Sequence, residues 1–373
     1  MSQVIDIRKV SDPREVIHRV ASLLSEGHLV GLPTETVYLP AALSVHAAAV
    51  EKLRLAVNGS QPPGFPLLIS GQEEALDFAP AMPRLAQKLA RRCWPGPVTI
   101  AVDVGKEKGL LVQLPAASQD MVAPGGQVQF RVSSHEIVQS VLKLLPAPLV
   151  TTTEAGLPEH PSATARDVQQ RFGNSISLIV DDGACRYGGP STLVSVTNNT
   201  WRMVNQGVVS ETMLGRLSSE TYLFVCTGNT CRSPMAEAYF RKMLAERLKC
   251  SEDELADRGY IVASAGLAAV GGAPASPDAV DVLARQGIDL SSHDSQPLTE
   301  RLLDQADHIF TMTRAHAESI LSCRPELADR VELLATDHAD VYDPIGGGVA
   351  EYEQCASEIE QHVRTIVSRI QPQ

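Results

Sequence analysis

The chain has 373 residues, too many for one ordinary domain and comfortable for two, and its 44% hydrophobic and 20% charged residues are the proportions of a globular protein. No apolar run reaches the roughly 18 positions of a membrane-crossing helix, the first ten residues lack the charged, apolar and small-residue order of a signal peptide, and seven scattered cysteines argue for a reducing, cytoplasmic setting rather than a disulfide scaffold. The net charge of −12 sits almost wholly after residue 220, where 24 Asp+Glu face 13 Lys+Arg, against 20 and 19 before it; that acidity argues against tRNA or RNA as a partner of the second half and favours basic protein substrates.

Residues 1–210 read as one unit in which Pro and Gly punctuate strand-like runs, most legibly at Gly-Leu-Pro-Thr-Glu-Thr-Val-Tyr (31–38), Trp-Pro-Gly-Pro-Val-Thr (94–99) and Gly-Pro-Ser-Thr-Leu-Val (189–194), predicting mixed α+β structure. Spacing alone gives it no visible chemistry. A polar stretch at 211–220 reads as a linker to a second unit, 221–373. There, strand-like runs at 221–225, 260–264, 307–312 and 331–335 alternate with helical ones at 234–248, 276–287, 298–305 and 314–322, and Val349, Tyr352, Cys355, Ile359, Val363, Ile366 and Ile370 form a helical apolar stripe. The alternation predicts an α/β fold with a four-stranded parallel sheet flanked by helices, and a ligand site at a strand's carboxyl end.

The first of those strands runs into Cys226-Thr227-Gly228-Asn229-Thr230-Cys231-Arg232-Ser233-Pro234. A free thiol titrates at about 8.5 and needs positive potential to act as a thiolate. Backbone N–H groups of 227–232, curled around an anion, supply it, as does a helix whose dipole begins there with Ser233 as N-cap and Pro234 as first residue. Arg232 offers a planar two-toothed donor for phosphoryl oxygens that a lysine could not replace. Gly228 and Asn229 tolerate the left-handed backbone of a tight anion nest. Cys226 and Arg232 are thus the candidate nucleophile and phosphate clamp. Asp343, before Pro344 and three glycines, is the candidate general acid for the leaving group. The acidic segment 337–343 lacks metal-ligand spacing, so neither a metal nor a cofactor is expected. Cys231 is either a redox partner that protects Cys226 or a small buried residue.

With these motifs, residues 221–370 resemble the low molecular weight protein tyrosine phosphatase family. The resemblance implies Cys226 as nucleophile, Arg232 as clamp, Asp343 as acid, and Asn229 and Ser233 as loop organisers. Positions 226–237 most resemble bacterial protein-arginine phosphatases, with Thr230 where many tyrosine-directed relatives carry a bulkier aliphatic residue and Ile345 where aromatics are common. A protein phosphatase acting through a cysteinyl-phosphate on phosphoarginine or phosphotyrosine is therefore expected.

Residues 5–210 resemble the YrdC-like threonylcarbamoyl-AMP synthases, which implies a twisted mixed sheet with a concave ligand-binding face. The departures are informative. Leu39-Pro40-Ala41 replaces Gly-Leu-Gly, Val57-Asn58-Gly59-Ser60 replaces a Lys-Gly-Arg-Pro element, and Thr151-Thr152-Thr153-Glu154-Ala155-Gly156 replaces Ser-Ala-Asn-x-Ser-Gly. Two cationic contacts to a nucleotide are gone, at about 1.5–3 kcal/mol each. The expectation is a degenerate domain that regulates or holds a small ligand, threonine or a nucleotide, through Thr34 and Ser191; the alternative is a bifunctional protein that keeps synthase activity for tRNA modification. Thr34 and Ser191 also fit as turn hydroxyls that satisfy local backbone.

Overall fold

The computed structural model of the chain describes residues 2–57, 64–152, 162–173 and 175–370. They divide into two compact units, Met1–Leu217 and Ser218–Gln373.

The first unit is built on a ten-stranded sheet, in the order Gln3–Asp6, Leu178–Asp181, Val30–Leu32, Leu39–Leu43, Leu149–Thr151, Leu67–Leu68, Gln127–Arg131, Val98–Asp103, Thr192–Thr197, Thr200–Asn205. Pairing is mixed: Gln3–Asp6 runs parallel to Leu178–Asp181, whereas Val30–Leu32 and Leu39–Leu43 are antiparallel. This is the expected twisted mixed sheet. The stretch expected as a linker instead folds as a helix, Glu211–Ser218. Its polar composition conceals Leu214, fully buried in the first unit's core, with Leu217 packed beside it, and the Ser210 hydroxyl accepts from Met213 N–H at its start.

The second unit carries four parallel strands, β1 (Glu220–Cys226), β2 (Tyr260–Gly266), β3 (His308–Thr311) and β4 (Val331–Leu333), in the order β2-β1-β3-β4. Five helices join or follow them: α1 (Arg232–Leu248), α2 (Pro277–Ala284), α3 (Glu300–Gln305), α4 (Arg314–Cys323) and α5 (Val349–Arg369). The central strand β1 is apolar without alternation because both its faces are buried. Tyr222, Phe224 and Cys226 enter one cluster, with α1, α2 and α5; Leu223 and Val225 enter the other, with Leu303 and Ile320. Phe224 and Phe240 are fully buried with ring centroids 5.3 Å apart, and each contributes about 1.5–3 kcal/mol by leaving water. The α5 stripe buries Tyr352, Cys355, Ile359, Val363 and Ile366 as its spacing requires. Cys226 thereby ends the middle strand of a sheet anchored on both faces. Among the described residues no helix is long and apolar enough to cross a membrane.

Candidate active site

Between β1 and α1 the chain folds around the Cys226 sulfur. Asn229 N–H donates to Cys226 Sγ at 3.2 Å, and Ser233 Oγ lies 3.0 Å from it. Asn229, not Gly228, takes the left-handed backbone, with φ 56°. A Cβ at Gly228 would meet only an ordinary contact, so the turn depends on the asparagine. Asn229 is also the hub of the loop. Its Nδ2 donates to Ser233 Oγ at 3.0 Å and to Ser264 Oγ at 2.8 Å, and its Oδ1 accepts from Gln296 N–H at 2.8 Å. Because Ser233 Oγ accepts from Asn229, its own proton has two acceptors, the sulfur at 3.0 Å and Ala265 O at 3.4 Å; given to the nearer sulfur, it favours negative charge there.

The expectation that Ser233 caps the helix is corrected by this arrangement. Helix α1 begins at Arg232, the capping position falls on Cys231, and no side chain caps it. The serine hydroxyl serves the sulfur, and the first N–H groups of α1 stay directed at the loop, where an anion can satisfy them. Thr227, Gly228, Thr230 and Cys231 complete the curve. Thr230 O accepts from Ser276 N–H at 2.8 Å. Cys231 Sγ lies 3.2 Å from Tyr352 Oη, and all seven cysteines are free thiols.

Arg232 is buried, and its Nη2 pairs with Asp343 Oδ2 while Nη1 donates to Val341 O at 3.3 Å. The two residues lie 111 positions apart in sequence and meet at the loop mouth. Asp343 Oδ1 accepts from Ile345 N–H at 3.3 Å, and Ile345 itself is 68% exposed beside it. The other carboxylates of 337–343 serve the backbone: Asp340 accepts from Arg314 N–H at 2.7 Å and Asp337 from Ala339 N–H at 3.1 Å.

Four residues that hold the loop were given no role by sequence reasoning. Ser264 Oγ donates to Glu237 Oε2 at 2.7 Å, and burial raises the Glu237 carboxyl above its ordinary range. His293 Nε2–H donates to Asn229 O at 2.8 Å. His316 is buried between two hydroxyls, Thr227 Oγ1 and Thr313 Oγ1, each 2.9 Å from a ring nitrogen. Burial, then the Arg232 charge, lowers its pKa from the usual 6.5. The folded chain therefore binds fewer protons at this site than the unfolded chain once pH falls to about 6.5, and stability declines on acidification until the folded pKa is passed. In urea unfolding of the second unit between about pH 7 and pH 5.5, His316→Gln is expected to flatten this decline; equal slopes in the two proteins would refute the assignment.

The family model described as Low molecular weight phosphotyrosine protein phosphatase matches residues 221–373. A protein-arginine-phosphatase of Bacillus subtilis is 40% identical over 152 residues, which are 40% of this chain and 95% of the relative. The chain belongs to the low molecular weight phosphotyrosine protein phosphatase family. In the phosphatase unit, then, the loop at Cys226 stands at the carboxyl end of the central strand, as the strand-helix alternation leads one to expect.

A second family model, described as Telomere recombination, matches residues 22–207 of the other unit. A threonylcarbamoyl-AMP synthase of Pyrococcus abyssi is 30% identical over 200 residues, 53% of this chain and 55% of the synthase, so the chain spans about half that relative's length. The solved structure of a doubly substituted Pyrococcus abyssi Sua5 protein has a TM-score of 0.51 at 20% identity, covering 71% of this chain and 91% of that one, a likeness of fold alone. The phosphatase unit is thus fused to a Sua5/YrdC-type unit. In the latter, Thr34 Oγ1 donates to Val37 O at 2.6 Å and accepts from Val37 N–H at 3.1 Å, a local turn bond, and Ser191 Oγ lies 3.0 Å from Thr99 Oγ1. Arg131 is held by Glu35 at 2.8 Å and Thr36 at 2.6 Å. The cavity that Ser191 and Arg131 line is about 10 Å³, room for about one water. Thr34 lines a separate cavity of about 610 Å³ with Arg8, His135, Asp182 and Arg186. Asn58, Gly59 and Ser60, and 153–156 with Glu154, lie outside the described residues.

Proposed function

We propose that residues 221–373 form a cysteine-dependent protein phosphatase that works through a cysteinyl-phosphate. The observation that carries this is the Cys226 sulfur, held by Asn229 N–H and Ser233 Oγ beneath a buried Arg232 that pairs with Asp343. A phosphoryl group entering the loop takes the Arg232 guanidinium from Asp343 and fills the N–H groups at the start of α1. Cys226 attacks phosphorus, the bond to the leaving group breaks, and Asp343 gives that group its proton. Water then attacks the cysteinyl-phosphate, losing its proton to Asp343 and releasing the thiolate and inorganic phosphate. No redox step is involved.

Phosphoarginine in proteins is the substrate this reading favours, and phosphotyrosine is its competitor. Support comes from the arginine phosphatase that is 40% identical and from the half-buried, compact Thr230 on the loop. Thr230→Ile is expected to shift the ratio of phosphoarginine to phosphotyrosine turnover about tenfold toward tyrosine, the usual scale of discrimination by one added apolar group. An unaltered ratio would remove Thr230 from the selectivity argument. Seven free thiols fit a reducing compartment such as the cytoplasm.

For the first unit we propose a regulatory or ligand-binding role without synthase chemistry. The supporting observation is the small void at Ser191, with Arg131 committed to Glu35. Threonine- and bicarbonate-dependent release of pyrophosphate from ATP is expected to be absent; its detection would establish the bifunctional alternative.

A further inference from the structure

At the end of the phosphatase sheet opposite the reactive loop lies a cavity of about 320 Å³, lined by Glu220, Tyr222, His308, Phe310, Glu332 and the last turn of α5. That volume is at the lower end of small-molecule sites. Its construction follows from strand register. Tyr222 pairs with His308, and Phe310 with Glu332, so these side chains emerge on one face of the sheet. The Tyr222 and His308 rings stack at 4.7 Å and 13°, and His308 and Phe310 lie at 6.4 Å and 9°. Together they form a nearly parallel set of rings in which His308 is the most exposed member, to which another flat ring can be added. Ile366 and Ile370 supply the opposing apolar wall.

The polar groups are few and of defined sign. Glu220 and Glu332 bring two carboxylates to the cavity against one guanidinium, Arg369. His308 Nε2 is 3.5 Å from Glu220, whereas Glu332 is exposed and makes no ion pair among the described residues. Tyr222 is 5% exposed, and among the described residues its hydroxyl has no hydrogen-bond partner. Burial keeps that phenol protonated, a donor and acceptor turned to the cavity.

We propose that this cavity binds an arylalkylamine, its flat ring added to His308 beside Tyr222 and Phe310 and its ammonium group at Glu220 and Glu332. The site is about 13 Å from Cys226 along β1, at 3.3 Å per residue, so its occupant does not compete with a phosphoryl group. Because the readout is binding and not turnover, the inference stands apart from the catalytic proposal. The test is calorimetric titration of the full chain with tryptamine, in inorganic phosphate to occupy the reactive loop. One saturable site is expected, and indole-3-acetate, with a similar ring and the opposite charge, should bind at least about tenfold more weakly. Glu332→Gln should cost about tenfold in tryptamine affinity. Tyr222→Phe should weaken binding while leaving the unfolding midpoint in place, since the hydroxyl it removes has no protein partner. Absence of saturable tryptamine binding, equal affinity for the two indoles, or wild-type affinity in both variants would overturn the proposal.

Discussion

A Cys226→Ser chain is expected to fold normally and to lose hydrolysis of an aryl phosphate by a factor on the order of 10⁴ or more, the scale seen when a covalent nucleophile is removed. The substitution exchanges one small group for another at a site 3% exposed. Asn229 N–H and Ser233 Oγ can bond to the new oxygen as they do to sulfur, so the loop keeps its shape. What is lost is ionisation, because an alkanol does not become an anion in the field that these donors and the start of α1 provide. The measurement is turnover of an aryl phosphate by the purified chain, with thermal unfolding as the control for folding. Activity within a few-fold of the parent would rule out the cysteinyl-phosphate route.

Asp343→Asn is expected to lower turnover by about 10² to 10⁴ for substrates with poor leaving groups, and far less for an activated aryl phosphate that departs without a proton. The pH profile separates the two limbs. Thiolate attack fails as pH falls, whereas proton donation fails as pH rises, so the asparagine variant should lose the alkaline limb alone. A further consequence follows from the Arg232 ion pair. The carboxylate competes with phosphate for the guanidinium, and its neutral replacement should bind inorganic phosphate several-fold more tightly. A variant with weaker phosphate binding and both limbs intact would place Asp343 outside proton transfer.

The strand-helix order of the phosphatase unit was legible because each element is a local pattern. Strand β1 announces itself as five consecutive apolar residues, Tyr222–Cys226, and α5 as a stripe at helical spacing. The loop was legible for the same reason, since Cys226, Asn229 and Arg232 lie within one turn of chain. The supports were not. Ser264, His293 and His316 are ordinary polar residues in sequence, and only the approach of β2, of the segment between α2 and α3, and of α4 brings them to the loop. Ser233 was misread because a serine before a proline is the ordinary sign of a helix cap, while its hydroxyl is turned instead to a sulfur seven residues earlier in the chain. The helix Glu211–Ser218 was hidden by having only Leu214 fully buried.

Gly266, at the end of β2, packs against the reactive loop more closely than any side chain would allow. A Cβ there would stand 2.6 Å from Thr227 O and 2.9 Å from Asn229 N, and Leu267 N–H and Ala268 N–H donate to Cys226 O and Thr227 O at 3.0 and 2.9 Å. The neighbouring strand acts as a mould for the loop. The conformational entropy of that loop is surrendered when the sheet assembles, not when an anion arrives, and binding energy is left for the reacting group.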